Sequence, residues 1–204
     1  KIGDGDGSFF IEKLKEYAEI DVITTKNLDS LLVKIKDYSK VIVGYHKPEG
    51  IWKKNEMTFN EINWIDKISK HNKTIVTFFT KPYSLLRIPT FENTEGLIEA
   101  YQNNEFSQIV AAEIIFGAKD AKGILPVSLK KNFSANDGIP TKNIKRLGFA
   151  FPEQVNMNSE VLAKIDAIAN YAIKSKATPG MQILVARNGK IVYEMIGATK
   201  NIQD

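Results

Sequence analysis

Apolar residues recur along the chain with two different periods. Short continuous apolar runs at Val41 to Tyr45 (VIVGY) and Thr74 to Phe79 (TIVTFF) predict strands covered on both faces, the habit of parallel sheets. Glu19 to Thr24 (EIDVIT) and Leu97 to Tyr101 predict two more strands. Between them the spacing becomes helical. Leu28 to Tyr38 puts Leu28, Leu31, Leu32 and Ile35 on one face, and Phe59 to Lys70 does the same with Ile62, Ile65 and Ile68. Glu105 to Phe116 is a third such helix, with Ile109, Ala112 and Phe116 on one stripe and Gly117 as its left-handed stop. A helix is also predicted to start near Ser8, read as its N-cap. Ile124 to Leu129 is expected to be extended, since Pro126 forbids helix. Strand, helix, strand at these intervals implies right-handed crossovers and a mostly parallel sheet. The expected fold is α/β, a flavodoxin-like, doubly wound sandwich over residues 1–131.

The pattern then changes. Residues 132–153 show no sustained period and carry Gly138, Pro140, Gly148 and Pro152; they are expected to form a linker, pressed against the first domain by Ile139, Leu147 and Phe149. Ser159 to Lys174 is amphipathic, with Asn158 or Ser159 as cap. Pro179 to Gly197 alternates as two strands around Asn188-Gly189, a strong two-residue hairpin signal. Residues 154–204 thus read as a C-terminal helix and β-hairpin, the start of a truncated second domain. A hairpin alone is marginal in water, so this one is expected to rest on the helix or on the sandwich and to keep one unpaired edge.

Composition narrows the function classes. The sequence has no cysteine, which removes disulfides and thiolate metal sites. A net charge of +4 comes from lysines scattered over several elements, with few arginines, and reads as solvation; no nucleic-acid partner is expected. No apolar run reaches the roughly 20 residues needed to span a bilayer, and no signal peptide opens the chain. Lys1-Ile2-Gly3 reads as the tail of a strand, so the natural N-terminus is expected upstream. Gly3 to Gly7 (GDGDG) fails as a dinucleotide fingerprint, which needs G-x-G-x-x-G after a full strand. It also fails as a calcium loop, because counting from Asp4 puts Phe9 and Lys15 where glycine and glutamate belong. It is read as a flexible turn leading into a helix. No cofactor and no metal site are expected.

In parallel sheets ligands bind beyond the carboxyl ends of the strands. The candidate loops are therefore Tyr45 to Met57, Thr80 to Arg87 and Gln102 to Asn104. The first carries His46, Trp52, Lys53, Lys54 and Glu56, a set able to hold a polar ligand or a sugar; the second carries Lys81 and Tyr83. His46, Trp52, Lys81 and Tyr83 are the candidate substrate-adjacent or interdomain residues. Each has a plainer reading: a hydrogen-bonded loop histidine, a tryptophan plug at a domain interface, and an extended Lys81-Pro82 step that is structural. An apolar docking face is expected around Trp52, Tyr83, Leu85 and Leu86.

The wording of several stretches adds a resemblance. A helix ending in Phe116-Gly117-Ala118, then Gly123 to Leu129 (GILPVSL), resembles the end of the C-terminal domain of glycoside hydrolase family 3, in particular its β-N-acetylglucosaminidase branch. Lys81 to Leu85 (KPYSL) and Ala100 to Gln108 (AYQNNEFSQ) occur in the matching order, and the resemblance extends from Lys1 to about Phe151. The helix and hairpin after residue 154 resemble the opening of the serine β-lactamase and penicillin-binding fold, which follows the sandwich in some family 3 glycosidases.

The resemblance implies a parent that hydrolyses O-glycosidic bonds of β-linked N-acetylglucosaminyl residues, periplasmic or secreted. The implied partners are an N-terminal (β/α)8 barrel and a β-lactamase-like domain of the same chain, with a carbohydrate substrate. It also implies that the catalytic residues lie elsewhere. The family's nucleophilic aspartate sits in the barrel, and in this branch so does the Asp-His acid/base pair. Some other branches place the acid/base glutamate on the sandwich, and no local motif assigns that role to Glu49, Glu56 or any other residue here. The one S-x-x-K match, Ser128 to Lys131, lies in an extended run, where Ser128 and Lys131 would not share a helix face. No catalytic residue is assigned. The alternative is a stand-alone α/β ligand-binding or receiver-like module. A receiver needs an acidic cluster after its first strand and a phosphorylatable aspartate after its third, and the strand ends Tyr45-His46 and Phe79-Thr80 supply neither.

Overall fold

The computed structural model describes residues 1–50, 56–130 and 132–198. The chain is mixed α/β and divides into two compact units, Lys1–Lys142 and a second from Asn143 onward.

The first unit is built on a parallel sheet of three strands, β1 (Val41–His46), β2 (Thr74–Phe79) and β3 (Gly96–Glu99), in that order. Side chains alternate between the two faces of a strand, and each face is covered. Val43, Tyr45, Val76 and Phe78 pack in one cluster with Leu31 and Ile35 of α2 (Leu28–Ile35) and Ile65 and Ile68 of α3 (Phe59–His71). Phe79, with Ile42 and Ile98 beside it, packs in a second cluster with Phe10 and Leu14 of α1 (Ser8–Tyr17) and Ala111 and Ala112 of α4 (Glu105–Ile115). The small Ala111 and Ala112 let α4 lie close to the strands. Thr58 and Glu61 cap α3 with a reciprocal capping box, and Gly117 (φ 70°) closes α4 in the left-handed region.

Several expectations change. Helix α1 does start at Ser8, but Gly7 is its cap, and the Ser8 hydroxyl instead donates to Asp6. Glu19 to Thr24 is irregular, because no strand lies beside it to share a ladder. Residues 124–129 add nothing to the sheet. They fold back on the next segment through Leu129–Phe133 pairing and through the Asn136 N–H donating to the Leu125 carbonyl, while Leu129 plugs the core. Ser128 lies in that non-helical stretch, its hydroxyl accepting from the Ala135 N–H. The expected docking face fails at Leu85, which is 1% exposed and part of the core, with Leu86 packed against it. Of the three linker residues expected to press on the sandwich, only Ile139 belongs to the first unit, and it does not. Ile139 is 85% exposed, Leu147 is exposed, and Phe149 belongs to the second unit's sheet.

The second unit has the strand order β4-β6-β5, with β4 (Gly148–Phe149) parallel to β6 (Lys190–Ala198) and β5 (Gly180–Arg187) antiparallel to it. Asn188 (φ 53°) and Gly189 (φ 73°) are both left-handed, the signature of a type I′ turn, and a register shift follows Val185. The expected single helix is two, α5 (Ser159–Leu162) capped by Asn158, and α6 (Lys164–Lys174), separated at Ala163. Helix α6 packs on the hairpin: Ile173 meets Gly197, and Tyr193 donates to Asp166 at 2.8 Å. No residue of β5 is fully buried, and among the described residues β5 pairs with β6 alone. Amide exchange across β5 and β6 is therefore expected to run far faster than across β1 and β2. Equal protection in a monomeric sample would contradict this.

Candidate functional site

The carboxyl ends of the three parallel strands, with the loops that follow them, enclose a crevice of about 250 Å³. Lys47, Glu49, Thr80, Lys81, Tyr101 and Asn103 form most of its wall. Parts of all three candidate loops thus meet at one place. Lys81 is in the wall; Tyr83 is not, and stands 57% exposed on the 3-10 turn Pro82–Arg87. Trp52, Lys53 and Lys54 lie outside the described residues.

His46, the last residue of β1, lies beneath the crevice at 1% exposure. Its ring stacks on Phe79 with centroids 4.4 Å apart and planes 14° apart. Nδ1 lies 2.8 Å from Asn103 Oδ1. Asn103 Nδ2 donates to the Asp6 carbonyl, and Gln108 Nε2 donates both to that carbonyl and to Asn103 Oδ1. With Oδ1 accepting, the proton of the neutral ring sits on Nδ1. Gln108 Oε1 completes the network by accepting the Phe10 N–H, so one amide ties α4 both to α1 and to the segment just ahead of it. Burial, only partly offset by Asn103, pushes the His46 pKa down to about 4, and the ring is neutral at physiological pH.

The GDGDG stretch belongs to this network, which corrects its reading as a flexible turn. A Cβ on Gly7 would lie 2.7 Å from His46 Nε2, and one on Gly5 would lie 2.6 Å from Asn103 Nδ2. At Gly3 (φ 89°) it would lie 2.1 Å from the His46 carbonyl oxygen. The glycines let the chain close over the imidazole.

Lys47 is neutralised on the spot. Its ammonium is 2.9 Å from Glu61 and 3.1 Å from Asp4, and 5.5 Å from the Tyr45 ring centroid. Burial works against the Glu61 charge, but the Thr58 N–H and Lys47 outweigh it and hold the carboxyl below its ordinary range. Burial likewise opposes the Lys47 charge and is outweighed by Glu61 and Asp4, which leaves the ammonium above its ordinary value. The Tyr45 hydroxyl is pushed up, by burial first and by Glu61 second.

One feature of this end of the sheet escaped the sequence reading. Glu99 closes β3; burial pushes its carboxyl up to about 8, with only the Tyr101 N–H, at 2.9 Å, favouring the charge. Its second oxygen is buried with no hydrogen-bond partner among the described residues. Tyr101 itself is left-handed (φ 62°), which places strain at the crevice wall. A glutamate ending the apolar run Gly96–Glu99 was the available signal.

These parts can hold a small polar or anionic group beside Lys81. They do not assemble a nucleophile with a base: the histidine is packed and hydrogen-bonded away, and Glu49 is the one carboxylate among the described wall residues. Comparison with protein-family models, curated proteins and solved structures returned no match to this chain.

Proposed function

We propose that the chain is a non-catalytic module of a family 3 glycoside hydrolase: its flavodoxin-like, doubly wound C-terminal sandwich, followed by the opening of a β-lactamase-like domain. In this reading the parent cleaves β-linked N-acetylglucosaminyl residues, and the sandwich serves its architecture and domain contacts. One observation carries the non-catalytic assignment. Three polar residues of the AYQNNEFSQ stretch, Asn103, Asn104 and Gln108, are consumed in holding the fold. Asn103 and Gln108 bind His46, Asp6 and Phe10, and Asn104 caps α4 by accepting the Ser107 N–H. A retaining glycosidase instead needs two carboxyl groups about 5 Å apart and facing the same sugar.

The purified chain is accordingly expected to hydrolyse neither a chromogenic N-acetylglucosaminide nor a chromogenic cephalosporin. Turnover that survives repurification and disappears on mutating a residue of this chain would overturn the proposal. The crevice gives the rival ligand-binding reading its own readout. Saturable binding of inorganic phosphate or N-acetylglucosamine, lost in Lys81→Ala with the fold intact, would favour a ligand-binding module.

A further inference from the structure

Four pairs in the chain place a glycine directly after an aspartate or asparagine: Asp4-Gly5, Asp6-Gly7, Asp137-Gly138 and Asn188-Gly189. With no side chain on the second residue, its backbone nitrogen has open access to the side-chain carbonyl of the first. Three of the pairs are tied down. The Gly5 N–H is occupied by the His46 carbonyl at 3.0 Å, and Asp4 faces the Lys47 ammonium at 3.1 Å. The Asp6 carboxylate accepts from the Ser8 N–H at 3.1 Å and from the Ser8 hydroxyl at 2.7 Å. Asp137 accepts the Ser134 N–H at 2.6 Å. An ionised carboxylate is in any case a poorer target for a nucleophile than a neutral amide.

The fourth pair is the hairpin turn of the second unit. Asn188 and Gly189 are both exposed and both left-handed. Among the described residues no group bonds the Asn188 side chain or accepts the Gly189 N–H. A Cβ built on Gly189 would meet nothing within 4 Å, so the space beside its nitrogen is open. Arg187 and Lys190 flank the pair, and positive charge favours the anion that the nitrogen must become before it attacks. The same turn also holds a neighbouring strand. The Gly148 N–H donates to the Gly189 carbonyl at 2.9 Å, and the Ala150 N–H donates to that of Ile191 at 3.1 Å. Strand β4 is two residues long and pairs with β6 alone among the described residues, so the turn carbonyl is one of its few anchors.

We propose that Asn188 is a site of self-modification, at which the Gly189 nitrogen attacks the Asn188 side-chain amide and the product resets the hairpin turn and the attachment of β4. The nitrogen gives up its proton and bonds to Asn188 Cγ. The bond from Cγ to Nδ2 breaks, and ammonia leaves with that proton. One water then opens the five-membered imide. Addition at Cγ restores the original backbone with aspartate at position 188. Addition at the main-chain carbonyl leaves the chain running through the side chain, as isoaspartate. Aspartate tolerates the left-handed region and gains two cationic neighbours, so the turn survives. Isoaspartate adds a methylene to the backbone of a two-residue turn whose length sets the register. It moves the Gly189 carbonyl off the Gly148 N–H and loosens β4. Nothing in this step depends on the glycosidase reading.

The test ages the full chain at mildly alkaline pH and follows it by peptide mapping, isoaspartyl methyltransferase labelling and amide exchange. Replacement of NH2 by OH is expected in the peptide that spans Asn188 before any other asparagine changes, with isoaspartate among the products. In the isoaspartate fraction the Gly148 and Ala150 amides are expected to exchange several-fold faster than in fresh protein, while Val76 to Phe79 stay protected. Asn188→Gly keeps a residue suited to the turn and removes the amide; it is expected to age with neither change. Freshly made Asn188→Asp is expected to exchange like the fresh parent, which assigns the loosening to the added methylene and not to the charge. Earlier modification of another asparagine, or an aged chain with Asn188 intact, would overturn the proposal. So would unchanged Gly148 exchange in the isoaspartate fraction, or equal loosening in aged Asn188→Gly or fresh Asn188→Asp.

Discussion

Gly44→Val is expected to cost the first unit about 3 kcal/mol or more, the upper end for forcing bulk into a packed interior. A Cβ at Gly44 would lie 2.5 Å from His46 Nε2 and 3.1 Å from Phe10 Cδ1. Each neighbour is held by its own contacts, although both also border the cavity beside the β1 edge. The imidazole is stacked on Phe79 and tied to Asn103, and Phe10 is 2% exposed with its ring edge-on to Phe79. Turning the ring away would also break its hydrogen bond to Asn103, which belongs to the network joining α4 to the segment ahead of α1. Gly96→Ala is the matched control within the same sheet, since its Cβ would meet Ile75 at an ordinary 3.5 Å. Its cost is expected to stay below about 1 kcal/mol, near the intrinsic difference between the two residues. Urea unfolding followed by tryptophan fluorescence separates the two variants. Both tryptophans of the sequence, Trp52 and Trp64, lie within residues 1–142, so the signal reports on the first unit alone. A Gly44→Val protein as stable as Gly96→Ala would mean that the His46 cradle is loose.

What could be read from the sequence divides along the range of the interactions. Val41–His46 and Thr74–Phe79 were legible because a strand covered on both faces must be apolar throughout, whatever covers it. The Asn188-Gly189 turn was legible because two successive left-handed residues leave few choices of side chain. Glu19 to Thr24 shows the limit of the same logic. Its composition suits a strand, but a strand exists only beside another, and the space next to this one is a cavity. His46 marks a second limit. Its hydrogen-bond network joins residues 57 to 102 positions apart, so no local pattern separates a locked histidine from a catalytic one. The crevice position could be read from the rule for parallel sheets; the lock beneath it and the strained Tyr101 could not, and Glu99 was signalled only by ending an apolar run. Leu85 and Leu86 were misplaced because the 3-10 turn that carries them packs into the first core cluster, and a short apolar pair looks the same in sequence whether it is buried or exposed.

Stability of the first unit is expected to pass through a maximum near pH 4.5–6.5, set by two buried groups with opposite linkage. His46 has its folded pKa depressed, from 6.5 to about 4. Its contribution is full above pH 6.5 and is lost as pH falls toward 4, because the unfolded chain takes up the proton first; the loss amounts to about 3 kcal/mol. Glu99 has its folded pKa raised, from 4.5 to about 8. Here the folded state holds the proton more tightly, so stability falls as pH rises from 4.5 to 8, by about 2 kcal/mol once screening of a residue that is not fully buried is allowed for. Between 4.5 and 6.5 the two slopes oppose each other. Glu99→Gln separates them, since the amide fits the same space and cannot ionise. Relative to the parent chain it is expected to be near neutral at pH 5 and about 2 kcal/mol more stable at pH 8.5. In that background the His46 slope between pH 4.5 and 6.5 should stand uncovered, approaching one proton released on folding. The Glu61 carboxyl is held below its ordinary value of 4.5, so its own loss begins at the lower end of that window. Urea unfolding at half-unit pH steps reads both effects. A Glu99→Gln curve parallel to that of the parent would mean that Glu99 ionises as an ordinary surface carboxylate, and the buried acid at the end of β3 would have to be abandoned.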